Sequence, residues 1–356
     1  MNTLNKYIAR EILKGTLIAL VILVTIVEFF TFADELRSIG QGEYDFLAIV
    51  KYVALTAPSV LYDLFPSAAL IGTMFALGSM ANNREIVAMR SAGVSVARII
   101  WAVMRVGIVL ALVSLIIGEL IAPSANRTAR EFKATTKNNQ VASWSIYGFW
   151  TRDGNSFINI RQIEDRNELG DISIYKLDFE KGLESVRHAE NAEYSEPEKR
   201  WLLKDVLTTQ FDLDGVAVVK HRQSAWKSVI NPELLSVVIV NSGNLSILGL
   251  NRYIRFLQEN GQQSNKFELA FWQRVIDPLV TLVMLLVAVP FVMNVSRSVT
   301  MGQRMMMGVV IGLVFILIDR LIGHMGLVYN FKPIIAALLP GTIFLIFSLF
   351  MIKRMM

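Results

Sequence analysis

Six long apolar stretches, at residues 12–32, 59–81, 99–121, 269–293, 305–325 and 334–352, flank one polar block, three on each side. Each is long enough for one helical crossing of a hydrocarbon core, which takes about 20 mostly apolar residues. A bilayer interior satisfies backbone polar groups only in helices or closed barrels. The pattern therefore predicts a membrane α-helical protein of six transmembrane helices, arranged 3+3, with the polar block in water. A chain of 356 residues that is 53% hydrophobic is also too apolar for an ordinary soluble fold. The expected divisions are 1–125 for the first three spans, 126–245 for the inserted domain, and 246–356 for a connecting helix and the last three spans.

The net charge is +5, but the basic excess sits in short loops beside the spans. That is a topology signal, and no nucleic-acid partner is expected. With the N-terminus in the cytoplasm, the inner loops carry Lys6, Arg10, Lys14, Arg84, Arg90, Arg98, Arg297, Arg304, Lys353 and Arg354. The short outer loops carry chiefly Arg37, Lys51 and Lys332. This bias places both termini in the cytoplasm and the polar block outside it, in the periplasm of a bacterial cell. Lys6, Arg10 and Lys14 before an apolar run resemble a signal sequence, but the run is too long and no small-residue cleavage site follows, so an uncleaved first helix is expected. There is no cysteine, which excludes disulfides, thiolate metal sites and a cysteine nucleophile. His188, His221 and His324 are scattered without ligand spacing, so no metal is expected.

Within the polar block, residues 157–160, 172–179, 201–211 and 216–220 are rich in β-branched and aromatic side chains. Turn signals separate them: Asp153-Gly154, Glu168-Leu169-Gly170-Asp171, Ser195-Glu196-Pro197-Glu198-Lys199 and Asp214-Gly215. An all-β sandwich or jellyroll-like domain is expected. Runs such as Ile172-Ser173-Ile174-Tyr175-Lys176-Leu177 are apolar on both faces, which fits either a twisted sandwich edge or an inner face open to an apolar ligand. Residues 246–261 read as an amphipathic helix with Ser246 as cap and Gly261 beyond its end. It is expected to lie on the outer membrane surface or to pack on the insert.

The second apolar region is too long for one crossing, and Pro58 and Pro66 interrupt it around Asp63, so a bent or interfacial lead-in followed by a span is expected. Gly308 and Gly312 form a small-residue face for helix packing. Asp277-Pro278 reads as a cap and first-turn proline, with Arg274 one turn back as a pairing partner. Glu28, Glu119 and Asp319-Arg320 lie toward the outer ends of spans, which favours interfacial ion pairs over a mid-membrane proton relay.

The segment Asn82-Asn83-Arg84-Glu85-Ile86-Val87-Ala88-Met89-Arg90-Ser91-Ala92-Gly93 reads as a short helix, capped by Asn82 with Glu85 completing a capping box and ended by Gly93. A short amphipathic helix between two spans suits the docking of a separate motor, and equally suits a surface helix resting on headgroups. The chain holds no Walker, G-x-S-x-G or H-E-x-x-H motif. Any ATP that drives it is bound and hydrolysed by another subunit, and no cofactor of its own is expected.

The layout resembles the LptF/LptG permease family of lipopolysaccharide exporters, with LptG-type members the nearer match. The resemblance is carried by Phe32-Ala33-Asp34-Glu35-Leu36 with Gly40-Gln41-Gly42, by the 84–93 segment, and by Gly118-Glu119-Leu120-Ile121-Ala122-Pro123. It continues through Gly170-Asp171-Ile172-Ser173-Ile174-Tyr175, Ser246-Ile247-Leu248-Gly249-Leu250 and Pro333-Ile334-Ile335-Ala336-Ala337-Leu338-Leu339-Pro340. It implies an ABC exporter permease subunit with no enzyme activity of its own. Its implied partners are an LptF-like permease, an LptB-like ATPase dimer, a single-span LptC-like protein and, indirectly, an LptA-like periplasmic bridge.

On that resemblance Arg84, Glu85, Ile86, Met89 and Arg90 become the ATPase-coupling surface, and the apolar interior of the insert becomes an acyl-chain path. Phe157, Ile174, Trp201 and Leu203 are expected to point inward on that path. Arg127, Arg130 and Lys133 are expected to meet lipid phosphates from one side of a helix, the competing reading being a charge-balanced stalk around Glu131. Arg37 joins them only weakly, since Asp34 and Glu35 flank it where the family places basic groups. An ion-coupled secondary transporter and a non-transporting scaffold for the β domain remain the alternatives.

Overall fold

The computed structural model describes residues 3–137, 149–165, 167–178, 182–212, 215–227, 245–293 and 301–355. The strand end at Phe179, the turn residue Asp214 and the loop cation Arg297 fall outside the described residues. The chain divides into two compact units. One comprises Met1–Arg37, Val53–Asn126 and Asn265–Met356, the other Ser38–Tyr52 and Arg127–Ser264.

The first unit holds six helices long and apolar enough to cross a membrane. Helix α1 spans Thr3–Glu35, and at 1.5 Å per residue its length of about 50 Å exceeds a hydrocarbon core of about 30 Å. Helix α2, Phe46–Asn82, is one continuous helix through Pro58 and Pro66. Proline is tolerated in a spanning helix where neighbours satisfy the carbonyls it frees. After the short α3, Glu85–Ser91, comes α4, Val96–Ile116, capped by the Ser95 hydroxyl, which accepts from the Arg98 N–H at 3.3 Å. A π-helical turn, Ile117–Ile121, joins α4 to α5, Ala122–Thr136.

The remaining helices are α6, Ile247–Glu259, in the second unit, and α7, Asn265–Met293, α8, Met301–Val328, and α9, Pro333–Met355, in the first. The most apolar stretches of α2 and α7 are 72% and 61% buried, against 22% for α1 and 17% for α8. Helices α2 and α7 are thus the inner helices, carrying Leu70, Met74, Leu77, Met284, Leu285 and Val289 into one core. Helix α8 lies along α2 through its glycines. A Cβ at Gly308 would stand 3.0 Å from the Met74 sulfur, and one at Gly312 3.4 Å from Ser67.

In the second unit six strands form one antiparallel sheet in sequence order: β1 Phe149–Asp153, β2 Ser156–Asp165, β3 Glu168–Asp178, β4 Gly182–Ser195, β5 Arg200–Asp212 and β6 Gly215–Trp226. The chain is therefore a helical membrane protein with an inserted all-β domain. The strands are longer than their sequence signals suggested, and one irregularity runs across β2 to β6. Arg161, Asp171, Glu190, Asp205 and Arg222 fall between the paired positions of β2 to β6, in one aligned row. Asp171 and Asp205 are left-handed there, at φ 48° and 51°.

Such a residue bends a strand and offsets its alternation. Buried positions accordingly step by three across the row, Leu169 to Ile172, Ala189 to Ala192 and Leu203 to Val206, where a regular strand would step by two. The apolar residues of both halves thus stay on the inner side of a crease, with charged residues along its back. The expected turn at Glu168-Leu169-Gly170-Asp171 is consequently strand: Leu169 pairs with Ile163 and Ala192. Gly-Asp supplied turn chemistry, but the fold uses it to bend β3.

Helix α6 has the expected ends. The Ser246 hydroxyl accepts from the Gly249 N–H at 3.1 Å, Gly261 has φ +64°, and Leu250, Tyr253, Ile254 and Leu257 are buried. It groups with the sheet-bearing unit, whereas the sequence boundaries placed it with the last spans.

Candidate functional site

Helix α3 begins without the expected cap. Asn82 is the last residue of α2, and Arg84 takes the cap position in a left-handed conformation, φ 60°, with no side-chain bond to the helix N-terminus. The reversal from α2 into α3 is made by backbone conformation, which a Cβ-bearing residue adopts at a cost. Glu85 is the first helical residue, where a carboxylate suits the partial positive charge of a helix N-terminus. Its carboxylate accepts from the Tyr7 hydroxyl of α1 at 2.8 Å and from Asn83 Nδ2 at 3.3 Å. Gly93, at φ +87°, ends the helix as expected.

Of the five expected coupling residues, Ile86 departs. It is 7% exposed and packs in the core with Ile8, Ile12 and Ile99. Apolar spacing alone could not say which face of so short a helix turns inward. The outward face carries Arg84, Val87 and Arg90, with Met89 half-buried.

A polar cluster absent from the sequence reading lies among α2, α7 and α8. The Tyr62 hydroxyl stands 3.1 Å from the Asp277 carboxylate and 3.5 Å from the Arg274 carbonyl, and the Arg274 guanidinium lies 5.4 Å from the Tyr62 ring centre. Gln273 Nε2 donates to Asp319 at 3.4 Å. Arg274 and Arg320 both act electrostatically on Asp63, and Asp63 and Asp319 act on Asp277.

Asp277 is not a cap, since α7 begins at Asn265 and runs through Pro278. That proline removes the N–H that would have met the Arg274 carbonyl, and the Tyr62 hydroxyl stands where it can serve the freed oxygen. The ring reaches this place past Gly118 in the π-helical turn, where any Cβ would overlap it. The available signal was the occurrence of Asp63, Asp277 and Asp319-Arg320 inside apolar helices, where ionisable groups face a cavity or a partner. Elsewhere, Glu28 is buried and takes the Thr56 hydroxyl at 3.4 Å.

Three of the expected lipid-contact cations have partners within the chain. Arg127 pairs with Glu131 at 2.9 Å, and Lys133 sits 4.6 Å over the Tyr52 ring, between Lys51 over Phe132 and Lys137 over Tyr44. Arg130 is half-buried on the same helix, and Arg37 lies 3.9 Å from Asp34 with both side chains exposed. In the sheet, Ile174, Trp201 and Leu203 are at most 1% exposed on the inner side, with Trp201 against Tyr194 and Trp226. Phe157 does not join them. It is 37% exposed beside Arg152, on the side opposite Ile158 and Ile160. Alternation forces this, since Phe157 shares a face with Asn159 while Ile158 and Ile160 take the other.

Residues 6–354 match the family described as Lipopolysaccharide export system permease LptF/LptG. The chain is 34% identical over 354 residues to the lipopolysaccharide export system permease protein LptG of Haemophilus influenzae, covering 99% of both chains. It is 35% identical over 355 residues to the protein of the same name from Escherichia coli K12, covering 99% of this chain and 98% of the relative. With the match running through all six apolar helices and the inserted sheet, the chain belongs to the LptF/LptG permease family.

Proposed function

We infer that the chain is an LptG-type permease subunit of an ABC exporter that takes lipopolysaccharide from the outer leaflet of the inner membrane toward a periplasmic bridge. The observation that carries this reading is the family match over nearly the whole chain. The inner-membrane orientation has both termini and α3 in the cytoplasm and the sheet in the periplasm, as the loop cations favour. The partners in this reading are an LptF-like permease, an LptB-like ATPase dimer and an LptC-like single-span protein, with an LptA-like protein receiving the lipid. ATP binds the ATPase, and this chain needs no cofactor.

In this reading the ATPase docks on the outward face of α3, through Arg84, Glu85, Val87, Met89 and Arg90, while Ile86 anchors the helix to the spans. Arg127, Arg130 and Lys133, with Arg37 as a weaker member, meet lipid phosphates. Acyl chains pass along the inner side of the creased sheet by Ile174, Trp201 and Leu203, which must part to admit them. The test is purification of the solubilised complex carrying Glu85→Ala. Loss of the ATPase with normal permease abundance is the expected result. An intact, fully exporting complex would leave Glu85 with only a local role.

One observation favours a second reading, an ion-coupled transporter: the carboxylates of Asp63, Asp277 and Asp319 gather with two arginines inside the helices. Transport sustained by an ion gradient without ATP would establish it.

A further inference from the structure

Helix α1 is held differently along its length. Toward its start Ile8 and Ile12 are fully buried in the core that includes Ile86 of α3. At Gly15 it crosses α2 backbone to backbone, so that a Cβ at Gly15 or at Gly72 would overlap the other helix's main chain. Just past the crossing Thr16, Ala19 and Leu20 are buried, and beyond Leu20 the only buried residue of α1 is Glu28. Val21, Ile22, Ile26, Phe29 and Phe30 are all exposed. The Tyr7 hydroxyl meets Glu85 of α3 at 2.8 Å, and Glu28 meets the Thr56 hydroxyl of α2 at 3.4 Å. These contacts lie on opposite sides of the crossing.

We propose that Tyr7 is a positioning residue that passes displacement of α3 to α1, which turns about the Gly15–Gly72 crossing and parts Glu28 from Thr56. The inference rests on the reading of α3 as the ATPase-docking helix. The geometry is that of a lever. From Tyr7 to Gly15 the arm is about 12 Å, and from Gly15 to Glu35 about 30 Å, at 1.5 Å per residue. A shift at α3 therefore reappears at the outer end of α1 reversed in sense and about 2.5-fold larger. Two glycines at the crossing leave no side chains to interlock, which suits a pivot. Glu85 is placed to serve both helices, because one carboxylate oxygen takes Tyr7 and the other takes Asn83 at the start of α3.

Tyr7→Phe removes only the hydroxyl and keeps the ring, so the test is made in the complete complex in lipopolysaccharide-containing nanodiscs. Expected are normal retention of the ATPase, ATP turnover within about twofold of the parent, and lipopolysaccharide released per ATP lower by about tenfold, the scale of one charge-assisted hydrogen bond. A spin-label pair at Phe30→Cys and Leu338→Cys, added to a chain without cysteine, reads α1 directly. Its ATP-dependent distance change should be present in the parent and lost with Tyr7→Phe. Unchanged release per ATP with an unchanged distance response would overturn the proposal. So would loss of the ATPase from Tyr7→Phe, which would assign the bond to docking. Failure of the docking reading itself shows separately, as an ATPase retained by Glu85→Ala.

Discussion

The polar cluster of the helices and the crease of the sheet use the same residue types to opposite effect. Both bring aspartates and arginines together: Asp63, Arg274, Asp277, Asp319 and Arg320 in one, Arg161, Asp171, Asp205 and Arg222 in the other. In the cluster Tyr62 and Arg274 are buried, and Arg274 Nη1 has no hydrogen-bond partner among the described residues. In the crease the pair of Arg161 with Asp171, at 3.3 Å, keeps 60% and 34% of its side chains exposed. Buried, such groups are costly and persist where they serve a cavity or partner. Exposed, they contribute little, and the aspartates act through their backbone conformation.

The contrast predicts a descending series of effects. Gly118→Leu places a side chain where the Tyr62 ring lies, and should cost about 3 kcal/mol or prevent assembly. Equilibrium unfolding of the permease in mixed micelles would measure it. A cost under about 0.5 kcal/mol would mean that the ring can move aside without loss. Tyr62→Phe keeps the ring but withdraws the hydroxyl from Asp277 and from the carbonyl freed by Pro278, and should cost about 1–2 kcal/mol in the same assay.

Asp171→Gly is the smallest. Glycine takes φ 48° without strain, and the exposed pair with Arg161 is worth about 0.5 kcal/mol at most, so the thermal midpoint should hold or rise slightly. A fall of several degrees would show the crease charges to be energetically important and would erase the distinction between the two regions.

What was legible in the chain follows the same division. Spans, caps and breaks are written in local periodicity, so the six helices, the Ser246 cap and the Gly93 and Gly261 ends could be read directly. Contacts between distant segments were not. Asp277-Pro278 looks like a helix start because the pattern does not say that α7 is already three turns old, nor that Tyr62 arrives 215 residues away to accept the exception. Ile86 and Val87 are equally apolar, and only the position of Ile8 and Ile12 decides which is inside. In the sheet, Gly170-Asp171 announced a left-handed residue correctly but not whether it would reverse the strand or bend it. The inner positions Ile174, Trp201 and Leu203 fit a simple alternation within each half, and Phe157 was misplaced by ignoring that same alternation.

The central claim is that ATP hydrolysis on a partner drives lipopolysaccharide through this permease. The most direct measurement reconstitutes the purified complex in proteoliposomes loaded with lipopolysaccharide and follows lipid release to a soluble periplasmic acceptor, with ATP or with an imposed proton gradient. The account predicts release that requires ATP, stops with a non-hydrolysable analogue and ignores the gradient. Release driven by the gradient in the absence of ATP would contradict it and move the carboxylates of Asp63, Asp277 and Asp319 to the centre of the mechanism.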